Sequence, residues 1–460
     1  MELLFDQVLM AFGFGLFGAV LFAAIGLISG TDETTTIAPL TLLIILLGAP
    51  PVGVFTFWMA AVVAKHMTHA IPTALLGIPG DTLATPLMAE CEAMRKLGAP
   101  HIALRKMISG AIISAFIAVP CAVLFASLLA PFGDAIKAFA PWIFALAAII
   151  ITYFSPGKLA STLLLIPFVV LIIALQSFTA TFDTKLSISY FLGIAIGPLI
   201  ADLLMVSSPL GRKKMQRQSV NQLSIAPEVK SWSGYFPNPF KVLDKEQVKW
   251  TVATSVVSSA TFVFSPVAMT VALGEFVSSR FKQVYQRLTT TLTAKNGITE
   301  STYIAEALIP LIAFGLPLSP VAAGPAAPLF NAPPVFTVGE NGAQGHNLHH
   351  LLSQWEFLGY GLLAVFIASI VSYPFAMNYA RRAALFVTKY ISHEAIIATF
   401  VGLILVISLW EGALLGVLVI ITVGLVGGLL SKHFGFNTGC QFMGYYMAIL
   451  SVPALIGLVC

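Results

Sequence analysis

Charge is scarce in this chain, and several common enzyme motifs are missing from it. Asp, Glu, Lys and Arg make up 10% of the 460 residues and hydrophobic residues 58%, whereas a soluble domain is about one-quarter charged. The formal net charge of +4 is too small to indicate a nucleic-acid partner. The sequence has no Gly-x-x-x-x-Gly-Lys-Ser/Thr, His-Glu-x-x-His or Gly-x-Ser-x-Gly motif. These absences argue against an ATP-driven pump and against common intramembrane hydrolases.

Cysteine is also rare. Cys91, Cys121, Cys440 and Cys460 are the four in the chain, and they lack the spacing of metal ligands. We therefore expect no metal site and no cofactor.

Long uncharged runs are what the sequence has in abundance. Each of five runs reaches or exceeds the ~20 residues that a helix needs to cross a bilayer. They cover residues 34–64, 107–133, 159–182, 307–339 and 433–460. The sequence therefore predicts an all-α integral membrane protein that has the lipid bilayer as its surroundings.

Two of the apolar stretches are broken in the same way. Residues 71–82 and 309–320 both begin Ile-Pro and continue to a Gly-x-Pro break, at Gly77 and at Gly315. The loop after the first break, 89–106, carries four Lys/Arg residues, and the segment 331–356 after the second carries none. Because basic loops stay in the cytoplasm, the two breaks are expected to face opposite sides. Paired breaks in oppositely oriented halves are typical of secondary transporters.

The predicted topology has two inverted repeats, each with about seven crossings plus a Gly-Pro re-entrant hairpin. The first repeat is 1–206, a cytoplasmic linker covers 207–249, and the second repeat is 250–460, which leaves both termini outside. The crossings are 7–29, 38–48, 53–65, 107–130, 139–153, 160–176, 187–206, 250–265, 267–280, 296–312, 356–379, 392–409, 413–430 and 439–459, with hairpins at 70–88 and 313–330.

The distribution of basic residues fits this topology. All of the 24 Lys and Arg residues except Lys137 and Lys185 fall on its cytoplasmic side or at the cytoplasmic ends of crossings. Lys65 is counted there, at the inner end of the third crossing.

Three segments resemble a known family. Residues 308–319 are similar to the second signature of the large (TctA-type) permease subunit of tripartite tricarboxylate transporters, 78–80 to the core of its first signature, and 197–202 to the segment that closes its first half. The resemblance implies a bacterial inner membrane, a small four-helix membrane subunit and an extracytoplasmic solute-binding protein. It leaves the oligomeric state open, with a homodimer as one option.

The chain departs from the family pattern around both breaks. Thr68-His69-Ala70 stands where Gly-Gly-Ser is usual, Glu300-Ser301 where the family has Asn-Asn, and Ala305-Glu306 where it has Gly-Gly. The scaffold therefore looks retained while the lining of the site is changed.

The broken segments supply the predicted substrate site. Proline removes an amide donor and interrupts a helix, whereas glycine allows a turn and close approach of the backbone to a ligand. A helix that starts after such a break offers free amides to a carboxylate. The predicted substrate-binding residues are Gly77, Pro79, Gly80, Asp81, Thr82, Gly315, Pro317 and Ser319.

Ionisable residues near the breaks are the candidates for ion coupling, because charge within a membrane is costly and usually functional. They are Asp81, Asp32, Glu300 and Glu306, and the polar neighbour Ser301 is a further candidate. The expected coupling ion is Na⁺ or H⁺. Asp81 could instead be only a helix N-cap. An ordinary interfacial role is expected for His66 and His69, and solvated loop positions for His346, His349 and His350.

The sequence therefore predicts an ion-coupled secondary transporter for a small organic acid such as a di- or tricarboxylate. It would work by alternating access around the two opposed hairpin tips, and it is not expected to be an enzyme. An ion channel is the main alternative, and an intramembrane enzyme is a weaker one.

Overall fold

A computed structural model describes residues 2–155, 157–184, 186, 188–210, 213, 234–260, 262, 264–330, 347–391 and 393–459. Within these ranges the secondary structure is entirely helical and no strand occurs. The all-α prediction is therefore confirmed for the described part of the chain.

Nine α-helices occur among the described residues of the first half. They are α1 (Glu2–Ile25), α2 (Glu33–Leu46), α3 (Pro51–Ile71), α4 (Met88–Lys96), α5 (Pro100–Leu129), α6 (Gly133–Ala138), α7 (Ala140–Phe154), α8 (Leu159–Ala180) and α9 (Ile188–Ser207). Local chemistry fixes several starts. Asp32 accepts a hydrogen bond from Thr34 N at the N-terminus of α2, and α3 and α5 each begin with a proline, which the first turn of a helix tolerates.

The second half contains α10 (Lys245–Ser259), α11 (Pro266–Ser278), α12 (Val284–Ala313), α13 (Gln354–Tyr390), α14 (His393–Phe434), α15 (Thr438–Tyr446) and α16 (Val452–Val459). Helix α14 is interrupted at Gly412 and Ala413, whose backbone angles are not helical. This break lies at the predicted boundary between the crossings 392–409 and 413–430.

Six helical segments among the described residues are long and apolar enough to cross a membrane. They are Asp6–Ile25, Pro100–Phe132, Leu159–Ala180, Ile188–Met205, Gln354–Tyr390 and Val401–Phe434. Three shorter apolar helices are Glu33–Leu46, Pro141–Phe154 and Pro266–Ser278. The molecule is therefore a multi-pass membrane protein, while the count of seven crossings in each repeat stays a prediction.

Two large hydrophobic cores hold most of the helices together, and a third small cluster, Val277, Ala294 and Ile298, joins α11 to α12. The first core joins α1, α3, α5, α12 and α13, and includes Trp58 and Tyr303. The second core joins α7, α8, α9, α14 and α15. Helix α2 contributes to both, and Leu316 and Leu318 pack against both. The second break therefore lies where the two cores meet.

The described end of the predicted linker is docked on the helices. Lys106 of α5 donates to Val242 O at 2.7 Å and to Gln247 Oε1 at 2.7 Å, and Asn378 of α13 donates to Tyr235 O at 2.7 Å. Residues 211–212 and 214–233 of the linker lie outside the described residues.

Candidate functional site

The first break has the geometry that its sequence suggests. Helix α3 ends at Ile71, a wider turn follows over Pro72–Leu76, and Gly77 then takes the left-handed conformation with φ +68°. The chain returns through a short 3₁₀ helix, Thr82–Leu87. A left-handed residue is easily accommodated only as glycine, so Gly77 permits this reversal.

The second break repeats this geometry. Helix α12 ends at Ala313, and Gly315 is left-handed with φ +64°. The chain returns through the short helical turns Pro320–Ala323 and Ala327–Phe330. The two glycines singled out by the sequence comparison thus take the same unusual conformation at the ends of two long helices.

Equivalent residues cap the returning segments. Asp81 Oδ1 accepts from Leu83 N at 3.0 Å and Ala84 N at 3.2 Å. Ser319 Oγ accepts from Ala322 N at 3.0 Å and donates to Glu306 O at 2.8 Å. Asp81 is therefore an N-cap, which is the simpler of the two roles that the sequence allows for it. Its second carboxylate oxygen has other partners.

A buried group of charges lies at the first tip. Lys65 Nζ is 2.5 Å from Glu33 Oε1 and 3.1 Å from Asp81 Oδ2. His69 Nδ1 is 2.6 Å from the same Asp81 oxygen. Lys65 has no exposed surface, and the other three residues are buried. We call these four residues together with His66 and Glu300 the charge cluster. Mutual pairing of this kind is required because an isolated buried charge is very costly.

The charge cluster extends from the first tip to helix α12. His66 Nδ1 lies 2.8 Å from Glu300 Oε2, and His66 Nε2 lies 3.7 Å from Glu33 Oε1. The Tyr303 ring meets the His66 ring edge-on, with centroids 4.7 Å apart. His66 Nε2, Glu300 Oε1 and Tyr303 Oη are buried and have no hydrogen-bond partner in the described structure. Because buried polar atoms are nearly always bonded, these three mark a place suited to a polar ligand.

The second tip contributes a further carboxylate. Glu306 Oε2 accepts from Val321 N at 3.3 Å, and its Oε1 is buried without a partner among the described residues. Trp58 Nε1 of α3 donates to Pro325 O at 2.9 Å. The helix that carries Lys65 therefore also contacts the second break.

The remaining predicted site residues have varied surroundings. Asp32 caps α2, and its other oxygen lies 3.4 Å from Thr82 Oγ1. The Pro79 and Gly80 carbonyls accept from Ser29 Oγ at 2.6 Å and Gly30 N at 2.7 Å, which ties the first tip to the loop after α1. Pro317 lies between Leu316 and Leu318, at the contact of the two cores.

Ser301 lies apart from the charge cluster. Its Oγ is 2.6 Å from Ser258 Oγ of α10 and donates to Gly297 O. Ser301 thus links α12 to α10. Its neighbour in the sequence, Glu300, is the residue that contacts the charge cluster.

The structure corrects the interpretation of Lys65, His66 and His69. The predicted topology places Lys65 at the cytoplasmic end of a crossing and gives the two histidines an interfacial role. In the structure, α3 continues six residues beyond the predicted end at 65, and all three side chains are buried. One signal was available: Lys65 follows the uncharged run 34–64 directly and precedes the helix break. A charge at such a position is functional by default.

His349 is also not simply a solvated loop residue. Its Nδ1 lies 3.0 Å from Leu311 O, and Asn347 Nδ2 donates to Gly315 O at 2.9 Å. Segment 347–349 thus covers carbonyls at the end of α12. His350 is exposed as expected, and His346 lies outside the described residues.

Lys65 determines what the charge cluster can hold. Three atoms that could bind a metal ion lie within 4.8 Å of one another, one each from Glu33, His69 and Asp81. The Lys65 ammonium already bridges the two carboxylates. Positive charge at this point therefore comes from a side chain, and the arrangement is suited to exchanging ion-pair partners and protons.

If the protein transports a solute as its sequence predicts, we expect Gly80→Val to abolish uptake while the protein still inserts and stays soluble in detergent. A Cβ at Gly80 would lie 2.5 Å from His69 O and 2.7 Å from His69 Cβ, so the tip could no longer approach α3. Gly359→Ala is the matched control, since a Cβ there meets nothing within 4 Å. The measurement is uptake at matched membrane levels, and normal uptake by Gly80→Val would show that close approach at this tip is dispensable.

Comparison with known proteins identifies the family. Residues 12–441 match the family described as the tripartite tricarboxylate transporter TctA family. No curated protein and no solved structure matches the chain significantly. Because the family match spans nearly the whole sequence, the chain belongs to the tripartite tricarboxylate transporter TctA family.

Proposed function

We propose that this protein is an ion-coupled secondary transporter for a small organic acid, a di- or tricarboxylate, that works by alternating access. The observation that carries the proposal is the charge cluster, which lies between the first break and α12 and holds one lysine and two histidines in a buried site. The family consists of transporters, and this agrees with the expectation that the protein is not an enzyme.

The site offers several groups that recognise carboxylates. Lys65, His66 and His69 supply N–H donors. The N-termini of α2 and of the 3₁₀ helix Thr82–Leu87 lie side by side, since Asp32 and Thr82 are 3.4 Å apart. Both N-termini already hold a capping carboxylate, from Asp32 and from Asp81, and their dipoles add a positive potential that favours anions.

The packing of the two halves supports an inverted repeat. Helix α3 packs against α1 and α13, and α12 packs against α10 and α5. Helix α2 contacts the second returning segment at Ala327–Phe330, whereas α11 contacts the first at Thr82–Leu87. Each of these contacts thus has a counterpart with the two halves exchanged, in keeping with repeats at 1–206 and 250–460.

The two hydrophobic cores give alternating access a physical basis. The second core contains α7–α9 from the first half and α14–α15 from the second, and it meets the first core at α2 and at the second break. A shift between the two cores would open the charge cluster first to one side and then to the other.

Location, partners and coupling ion complete the proposal. We place the protein in a bacterial inner membrane with both termini outside. It would act with a small four-helix membrane subunit and an extracytoplasmic solute-binding protein, which are partners of the general kind that a tripartite family implies. Its coupling ion would be Na⁺ or H⁺.

Uptake and counterflow in proteoliposomes test this function. We expect saturable uptake of citrate or succinate that is driven by an imposed ion gradient, and exchange of labelled for unlabelled substrate. Current without saturation or exchange would instead indicate the channel alternative. Failure to move any of a panel of mono-, di- and tricarboxylates in either assay, with and without a soluble binding protein, would contradict the proposal.

A further inference from the structure

We propose that Lys65 is the counter-ion of a substrate carboxylate, and that Glu33 occupies the place of that carboxylate when the site is empty and takes up a proton when the substrate displaces it. This inference rests on the proposed function and deepens it. It makes the coupling ion a proton and fixes the ratio at one proton for each carboxylate that pairs with Lys65.

The first support is the geometry of Lys65. Its ammonium has no exposed surface and bridges Glu33 and Asp81, at 2.5 Å and 3.1 Å. A buried ammonium must always have an anionic partner. The ammonium has a third N–H, but Lys65 has no exposed surface. An incoming carboxylate can therefore reach it by moving one of these two groups aside.

The second support is the difference between the two carboxylates. Asp81 accepts two backbone N–H bonds and one from His69, so it keeps these partners when Lys65 turns away. Glu33 has its short contact with Lys65, a longer one of 3.7 Å to His66, and a side-chain contact with Asp81, which is itself a carboxylate. Glu33 is thus the carboxylate that loses most when Lys65 changes partner, and an unpaired buried carboxylate is neutralised by protonation.

The exchange balances in charge and atoms. Before it, Glu33 carboxylate is paired with Lys65 ammonium; after it, the substrate carboxylate is paired with Lys65 and Glu33 carries one proton. One O–H bond forms on Glu33, and the proton comes from water on the open side of the membrane. His66 is placed to pass it on, because its Nε2 is 3.7 Å from Glu33 and lacks a hydrogen-bond partner in the described structure.

Other charged and titratable groups face this exchange. They are Asp32 from α2, His66 and His69 from α3, Asp81 from the first tip, and Glu300, Tyr303 and Glu306 from α12. His69 and Glu300 are already engaged with Asp81 and His66, respectively. The excess of carboxylates means that an added anion needs an added positive charge, which the proton on Glu33 supplies.

Sodium fits this site less well than a proton. A Na⁺ ligated by Glu33 and Asp81 would have to stand where the Lys65 ammonium now bridges them. A proton needs no such room, since it adds to an oxygen already in place.

The test measures protons directly. Purified protein in weak buffer with a pH indicator is titrated with citrate, and binding is followed in parallel by calorimetry. We expect the parent to take up one proton for each citrate bound, after the protonation of free citrate is subtracted. Glu33→Gln, which imitates the protonated carboxyl group, should bind citrate with no proton uptake. Glu92→Gln, an exposed carboxylate on α4, is the control and should behave as the parent does.

A transport measurement accompanies the titration. With the membrane potential held at zero, a gradient of about one pH unit should let the parent accumulate substrate about tenfold through a single proton. Glu33→Gln should lose this accumulation and keep citrate counterflow.

Each outcome has a distinct meaning. The inference is wrong if the parent binds citrate without taking up protons, or if it accumulates citrate only with a Na⁺ gradient. The proposed function would still stand in both cases. Both results come from the parent protein, so they do not depend on whether Glu33→Gln folds. If Glu33→Gln still accumulates substrate in a pH gradient, Glu33 is not the proton carrier. If the parent neither binds nor moves any carboxylate, the proposed function itself fails.

Discussion

Lys65→Met is expected to abolish carboxylate binding and uptake. Removing one partner of a desolvated charge pair costs about 2–5 kcal/mol of binding energy, which corresponds to a loss of affinity of thirtyfold or more. The same change leaves Glu33 and Asp81 buried without the cation that bridges them. The measurement is calorimetric titration of the purified variant with citrate and succinate, together with uptake in proteoliposomes.

Two further variants separate loss of binding from loss of folding. Lys65→Met combined with Glu33→Gln removes the charge left unpaired, so this double variant should recover thermal stability but not substrate binding. Lys96→Met, at an exposed lysine on α4, is the matched control. Uptake by Lys65→Met at the parent's rate would mean that the substrate pairs with a different cation.

Asp81→Asn is expected to uncouple transport rather than stop it. Asparagine keeps the oxygen that caps Thr82–Leu87 but removes one negative charge from the cluster. An anion could then enter without a compensating proton on Glu33. Accumulation in an ion gradient should therefore fall close to equilibration, while part of the counterflow remains.

The measurement is paired accumulation and counterflow under an imposed H⁺ or Na⁺ gradient. Asp244→Asn is the matched control, because Asp244 caps α10 in an exposed position far along the chain from both tips. If Asp81→Asn accumulates substrate as well as the parent does, Asp81 is only a helix cap. Coupling would then rest on Glu33, with Glu300 and Glu306 as the next candidates.

Local features of the site could be predicted from the sequence. Gly77 and Gly315 were identified from matching Ile-Pro and Gly-x-Pro patterns, and both have the left-handed conformation that ends a long helix. Asp81 and Ser319 were identified from their position after the break, and each caps the segment that follows. These features depend on backbone chemistry over a few residues, which is what a sequence pattern contains.

The pairing of charges could not be predicted in the same way. Lys65 and Glu33 are 32 residues apart, and His66 and Glu300 are 234 apart, so the contacts exist only once α2, α3 and α12 are packed. The length of α3 decides where Lys65 lies. A helix that ends at Lys65 would leave the ammonium in water, whereas the observed helix continues to Ile71 and the ammonium is buried. Glu300 and Ser301 illustrate the limit further, since adjacent helical residues face different neighbours.

Opposite orientation of the two breaks is the central claim, because the inverted repeat and alternating access both depend on it. It is tested by single cysteines introduced at Lys96 and at His350 in a protein whose own cysteines are replaced. Both positions are exposed in the structure. With a membrane-impermeant maleimide on intact cells, His350→Cys should label from outside and Lys96→Cys only after the membrane is opened. Labelling of both from the same side would contradict the inverted repeat and, with it, the two-sided site built on it.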